Sequence, residues 1–241
     1  NEFSSDHNNS ITWRHLLQQT SEWEGTLWSK PDQVDRNRQV GSNANDSQKG
    51  QARQLMEPGG YWEYNDVRVN LAALCLTRLF ETSLSDVLRK NIMDPIDASH
   101  SWEWHGYRNS YIDIKGRLVQ SVSGGAHWGG GLWISSVDHA RMGLLISRQG
   151  HWGDVEVLPE HCLLPLFTPC RLNTNYGFLW WLNSNQSLFA GAGESSVFAF
   201  GAGANYVWID PDCDLVVVVR WIDAGSMNEF TALVMDSIVS P

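Results

Sequence analysis

Positive charge is scarce in this sequence. Its 17 Lys and Arg stand against 27 Asp and Glu, giving a net charge of -10 and a pI near 5.1. Most of the surface therefore repels a phosphate backbone, and nucleic acid is excluded as a partner. Long apolar runs are missing too. VVVV at 216–219 has the length of a strand, far short of the ~20 residues that cross a bilayer, so no membrane role is expected. NEFSSDHNNS has neither a basic start nor an apolar stretch and is no signal peptide. Because the sequence opens on Asn1 instead of Met, it is expected to continue upstream.

Cysteine is sparse. Cys75, Cys162, Cys170 and Cys213 form no CxxC pair and no zinc-like Cys/His spacing, which predicts separate buried thiols and leaves the compartment open. The sequence has no GxSxG elbow, no HExxH, no P-loop and no GxGxxG between a strand and a helix. GAGAN at 201–205 stands before a strand and reads as a tight backbone approach. His105 and His127 lack a third candidate ligand, so they read as hydrogen-bonded loop histidines and no metal is expected.

What is present supports a sizeable core: 42% hydrophobic residues over 241, enough for one large domain or two small ones. Thirteen Trp serve as large core fillers, while Trp102, Trp104 and Trp128, in loop-like surroundings, are candidates to wall a cleft; both readings can hold. ITWRHLLQQTSEWEG predicts a short helix capped by Thr12 and ended by Gly25. Residues 29–60 read as a long polar surface loop. GGYWEYND then forms a corner, and Asp66 can cap a buried helix carrying Val67, Leu71, Leu74, Leu76 and Leu79. Ser83 with Asp86 and Ser135 with Asp138 repeat capping signals for two further helices, with Gly150 ending the second. Residues 97–134 read as loops, with SGGAHWGGG the most flexible part.

The last third changes character. YGFLWWLN, NYVWID, the turn DPDCD and LVVVVRW predict antiparallel strands, and Met227, Phe230 and Val234 mark a closing helix. The fold class is α+β, with a mainly helical lobe over 1–170 and an antiparallel sheet with a covering helix over 171–241.

Several segments together resemble one family, the serine hydrolases of the penicillin-binding-protein and class C β-lactamase type with their esterase branch. ITWRHLLQQTS is similar to the helix after its nucleophile region, WEYND to its YxN corner, and GGGLWISSVDHARMGLL to its glycine-then-helix segment. NYGFLWWLN and YVWIDPDCDLVVVV are similar to its C-terminal strands. The resemblance spans nearly the whole chain and implies a β-lactamase-like fold. It also implies an acylated Ser, with Lys and Tyr sharing the proton work.

Carried over by position, Tyr64 matches the tyrosine and Asp66 the YxN asparagine. Ala199-Phe200-Gly201 falls on the KTG strand, so the glycine is kept and the cation is lost. The resemblance gives the Ala202 N–H half of an oxyanion hole, and makes Trp128, Gly129, Phe200, Gly201 and Trp102 substrate contacts. Tyr64 is expected to point into a cleft shared by the loop 123–131 and the strand start near Gly201. A phenol needs a neighbouring cation if its pKa is to fall toward neutrality. Asp66 either adds charge to the site or serves as the helix cap, the reading preferred at this point.

SxxK is absent: Lys30, Lys49, Lys90 and Lys115 follow Leu27, Asp46, Val87 and Ile112 by three residues, and none of these is Ser. The expectation is therefore an esterase- or amidase-like serine hydrolase whose N-terminal nucleophile part is missing, inactive as this chain alone. That segment or a second chain would cover the exposed surface beside Tyr64. The substrate is expected to be a small ester or amide, without a cofactor. The competing expectation is a non-catalytic binding module on the same fold.

Overall fold

In the computed structural model, which describes residues 2–40, 46–125 and 128–238, the chain divides into two units. The first comprises Asn1–Arg89 and Trp102–Trp133, the second Lys90–Ser101 and Ile134–Pro241. The division expected at residue 170 thus falls inside the second unit.

The first unit opens with α1 (Trp13–Leu17). Thr12 caps it with a full capping box: its hydroxyl accepts from His15 N, and the His15 ring accepts from Thr12 N. The helix stops long before Gly25 because Gln19 takes a left-handed φ of 59°. The two-residue strands β1 (Thr26–Leu27) and β2 (Lys30–Pro31) pair antiparallel. α2 (Asp66–Phe80) is buried along its first nine residues and at Thr77, whereas Leu79 and Phe80 in its last turn are exposed. Leu79 therefore does not join the core as its spacing suggested. The cap of α2 is Asn65, whose side chain accepts from Val67 N and Arg68 N, and not Asp66. α3 (Leu84–Leu88) starts at Ser83, as its sequence predicts.

Residues 97–134 are not the loops expected. β3 (Glu103–Ile114), β4 (Arg117–Val122) and β5 (Gly131–Trp133) form an antiparallel sheet in the order β4-β3-β5. The β3–β4 hairpin turns on Lys115 and Gly116, with φ of 52° and 81°, the primed geometry that a Lys-Gly pair between IDI and RLV permits. Trp23, Leu27, Val67, Leu71 and Leu74 form the apolar centre of the unit, and Ala73, Leu84 and Val122 a second cluster beside it.

In the second unit the helix after Ser135, the strands over 205–219 and the closing helix stand where predicted, while YGFLWWLN is strand only at Trp181–Leu182. α4 (Ser136–Ser147) is capped by Ser135, which accepts from Asp138 N at 3.0 Å, and Gly150 beyond it takes φ +87°. A small hairpin, β6 (His151–Trp152) and β7 (Val155–Glu156), and the one-turn α5 (Glu160–Leu163) lead to the main sheet. β8 (Trp181–Leu182), β9 (Val197–Gly201), β10 (Asn205–Asp210) and β11 (Leu215–Val219) pair antiparallel in the order β11-β10-β9-β8.

The helix over the aliphatic face of that sheet is α4. A Cβ added at its Gly143 would lie 2.6 Å from Val216, so only glycine allows this approach. The closing helix α6 (Met227–Ile238) docks through Met227 and Thr231, with Gly191 against its backbone. All four cysteines are free. Cys170 is buried, but Cys162 is exposed, contrary to the expectation of four buried thiols.

The largest departure from the sequence reading is residues 29–60. The early part of this segment is no surface loop, because Asp32, Asp35 and Arg36 are buried, whereas residues 46–60 are exposed or half-buried as expected. Arg68, without solvent exposure, bonds Glu22 at 2.9 Å and Asp32 at 2.8 Å and approaches Glu63 at 3.7 Å. Arg53 bridges Glu22 and Glu63 at 2.6 and 2.9 Å, and Arg36 joins Asp32 at 2.7 Å. Three cations thus meet three carboxylates. A second, equally neutral set pairs Arg38 and Lys49 with Asp35 and Asp66. Burial raises the pKa of Glu22, but hydrogen bonds from Arg53 and the charge of Arg68 carry it below its ordinary value.

A buried charge is tolerated only when paired and hydrogen-bonded. Arg68→Met is therefore expected to destabilise the protein by about 3–5 kcal/mol, because it leaves three buried carboxylates with two cations. Chemical denaturation of the variant against the parent checks this.

Candidate active site

The corner before α2 is built by hydrogen bonds from outside it. Gly59 takes φ +87° and donates its N–H to Thr20 O at 2.8 Å, and Glu63 N reaches Gln19 O at 3.0 Å. Asn65 is fully buried. Its N–H donates to Gln19 Oε1 at 3.2 Å and its Nδ2 to Asp32 Oδ1 at 3.0 Å, while its Oδ1 caps α2. The residue between Tyr64 and Asp66 is thus the one that clamps them to the helix.

Asp66 occupies the first position of α2. Its N–H donates to Asp35 Oδ2 at 3.0 Å, and its carboxylate receives Arg38 Nη1 at 2.7 Å. The Arg38 guanidinium carbon also lies 5.2 Å from the centre of the Tyr64 ring, within cation–π range. Tyr64 keeps some solvent contact, yet its phenol is closely surrounded. That burial, with the charge of Asp66 next, raises the phenol's pKa well above its ordinary value; Arg38 opposes the rise without reversing it. The cation expected beside the phenol is present, but the lowered pKa is not. At neutral pH Tyr64 therefore holds its proton.

The glycine-rich loop meets this corner. Asn70, one helical turn beyond Asp66, accepts Gly124 N at 2.9 Å and Gly125 N at 3.2 Å through Oδ1, and donates Nδ2 to Tyr107 Oη at 3.0 Å. Tyr107 closes the ring of contacts by donating to Gly125 O at 2.6 Å. Gly125 lies so near Asp66 that an added Cβ would be 2.4 Å from its Oδ1. Trp128 stands edge-on to Tyr107 at 6.2 Å, and Lys30 Nζ lies 5.0 Å from the centre of each ring. Gly129 is exposed with φ +94°. Asn70, Tyr107, Lys30 and Arg38 were not singled out from the sequence. The i, i+4 spacing of Asp66 and Asn70 was the available signal for Asn70, while Arg38 and Lys30 carried none.

Other candidates are placed differently. Trp102 is 1% exposed under Arg89, whose guanidinium lies 4.6 Å from the ring centre, so it is a core residue and walls no cleft. Trp104 donates Nε1 to Ser123 O at 2.8 Å and packs beside Ala73, Leu84 and Val122. His105 lies on β3 instead of a loop, 2.9 Å from Glu103 and against Trp133. His127 lies outside the described residues. Among the described residues no cluster of His, Cys, Asp or Glu is arranged to hold a metal.

Phe200, Gly201 and Ala202 belong to the second unit. Phe200 stacks on Trp181 at 5.1 Å and meets Tyr206 edge-on at the same separation. Gly201 ends β9 and pairs with Asn205, and Ala202 opens the exposed hairpin turn, its carbonyl accepting Asn205 Nδ2 at 2.6 Å. GAGAN is therefore a β-turn with Gly203 and Ala204 at positive φ.

The protein-family model described as Beta-lactamase matches residues 1–230. This chain belongs to the beta-lactamase family. No curated protein matches it closely. Among solved structures, a provisional beta-lactamase from Bacteroides dorei is similar with TM-score 0.62 and 15% identity, over 98% of this chain and 74% of that one. Simvastatin Synthase from Aspergillus terreus gives TM-score 0.62 and 14% identity, covering 96% and 70% of the two chains. A penicillin binding protein from Bacillus halodurans gives 0.58 and 18%, covering 95% and 73%. At these identities the likeness concerns the beta-lactamase-like fold.

Gly125→Ala tests whether the loop and the corner are rigidly coupled in this family member. The added methyl must displace the Asp66 carboxylate, so a loss of about 1–3 kcal/mol in thermal or chemical denaturation is expected.

Proposed function

We propose that the protein is a serine hydrolase of ester, amide or β-lactam bonds, working through an acyl-enzyme and favouring esters or amides over β-lactams. The observation that carries this reading is the rigid corner, where a protonated Tyr64 phenol is clamped beside the Asp66–Arg38 pair on a buried ionic base. Membership of the beta-lactamase family supports the reaction class.

The chemistry takes the following course. A serine Oγ attacks the substrate carbonyl carbon, and the bond to the leaving group breaks. The serine proton reaches the leaving group through Tyr64, and water then cleaves the acyl ester, releasing the acid and restoring the serine. No Lys in these 241 residues has a Ser three positions before it, so the nucleophile is assigned to a segment outside them. Trp128 and Gly129, on the glycine-rich loop that meets the corner, are assigned to substrate contact. The absent SxxK also favours a second reading, a binding module without catalysis. Intact-mass analysis of the full-length protein after fluorophosphonate treatment separates the two: a single serine adduct is expected, and no adduct supports the binding module.

Tyr64→Phe in the full-length protein is expected to lower kcat by about 10²–10⁴, the usual contribution of a positioned proton donor. A variant as active as the parent removes Tyr64 from the mechanism.

Ala199, at the position where the family pattern carries a cation, leaves an anionic substrate without that partner. Neutral esters are therefore expected to exceed matched carboxylate-bearing esters in kcat/KM by about ten-fold, near 1.4 kcal/mol, in paired steady-state assays.

A further inference from the structure

Asp66 places a carboxylate where the YxN pattern has a neutral amide. Two carboxylates, Asp66 and Asp35, face the Tyr64 phenol, and each is matched by a cation. Arg38 reaches Asp66 at 2.7 Å and Asp35 at 3.5 Å, and Lys49 reaches Asp35 at 3.1 Å. Arg38 also covers the Tyr64 ring, at 5.2 Å. Its side chain is 18% exposed and the Asp66 side chain 5%, so their attraction is only weakly screened.

We propose that Arg38 is a positioning residue for proton transfer through Tyr64: it neutralises Asp66, so that the phenol works beside an ion pair instead of a bare carboxylate. The proposal rests on the hydrolase reading above. When Tyr64 gives up its proton, a phenolate forms next to Asp66. With Arg38 in place that developing charge meets a net neutral pair, whereas without it two anions would stand side by side. The direction of the effect follows the forces on the phenol, which Asp66 and Asp35 push toward the protonated form and Arg38 pushes toward ionisation. A role confined to holding the loop at 29–60 would alter stability but would not single out the proton-transfer step.

The test exploits leaving groups in the full-length enzyme. An ethyl ester needs a proton on its departing alkoxide, and a p-nitrophenyl ester of the same acid needs far less help. Arg38→Met is expected to lower kcat for the ethyl ester by about ten-fold or more, with KM little changed and the p-nitrophenyl rate lowered less than about three-fold. Adding Asp66→Asn to Arg38→Met is expected to restore most of the ethyl-ester rate, because the bare carboxylate is gone. Should Arg38→Met not fold, Arg38→Lys carries the test: it keeps a cation and is expected to preserve the parent's ratio of the two rates, and a collapse of that ratio overturns the proposal. Tyr64→Phe is measured alongside. If Tyr64→Phe shows the leaving-group bias and Arg38→Met slows both esters equally, or the double variant is no better, this inference is wrong while the hydrolase reading stands. If Tyr64→Phe shows no bias, this inference is overturned and Tyr64 leaves the mechanism, while the fluorophosphonate adduct alone decides the hydrolase reading.

Discussion

Arg68 is the constraint on which the first unit depends. A guanidinium with no solvent exposure must find carboxylates, and the three around it, Glu22, Asp32 and Glu63, come from positions spread over some forty residues of chain. Satisfying one cation therefore pins the stretch after α1, the polar segment at 29–60 and the approach to α2 to a single point. Trp23 and Leu27 add apolar burial to the first of these stretches, but it is the ions that hold all three together. They are ordered because leaving any one of the ions unpaired costs more than the entropy of fixing the chain.

The consequence reaches the site through Asn65. Held by Gln19 and Asp32 and capping α2 at once, it leaves Tyr64 and Asp66 no freedom on either side. In the proposed hydrolase reading, preorganisation of this kind keeps the phenol aligned with the atom it serves. The same rigidity has an electrostatic side. Burial and two nearby carboxylates keep the phenol protonated, and Arg38 and Lys49 limit how strongly those carboxylates act.

The second unit reaches its order by a different route. Its sheet sorts side chains by alternation: Val197, Val207 and Ile209 turn to the face beneath α4, while Phe198, Phe200, Tyr206 and Trp208 stack on the other. Aromatic mass accounts for that face, which is why so many of the aromatic residues proved to be packing elements. Trp102 in the first unit shows the same rule at a position that the sequence had marked for ligand contact.

Alternation and capping are local signals, and what depended on them was legible: the α+β class, the Thr12, Ser83 and Ser135 helix starts, the strands from 205 to 219, and the corner at Tyr64. Non-local pairing was hidden. The strands over 103–122 were missed because EWHGYRNSYIDI mixes buried and exposed positions without clean alternation, though Lys115-Gly116 marked the hairpin. Asp66 was taken for the cap because it is one residue from Asn65 and chemically as able, and only the backbone dihedrals choose between them. By itself the sequence determined the fold family and the place of the phenol, since both follow from residue types at fixed spacing. Tertiary structure alone decided that Asp32, Asp35 and Arg36 of a polar segment enter a buried ionic cluster and that Arg38 faces Tyr64, because a charge finds its partner by distance in space, which spacing along the chain does not encode.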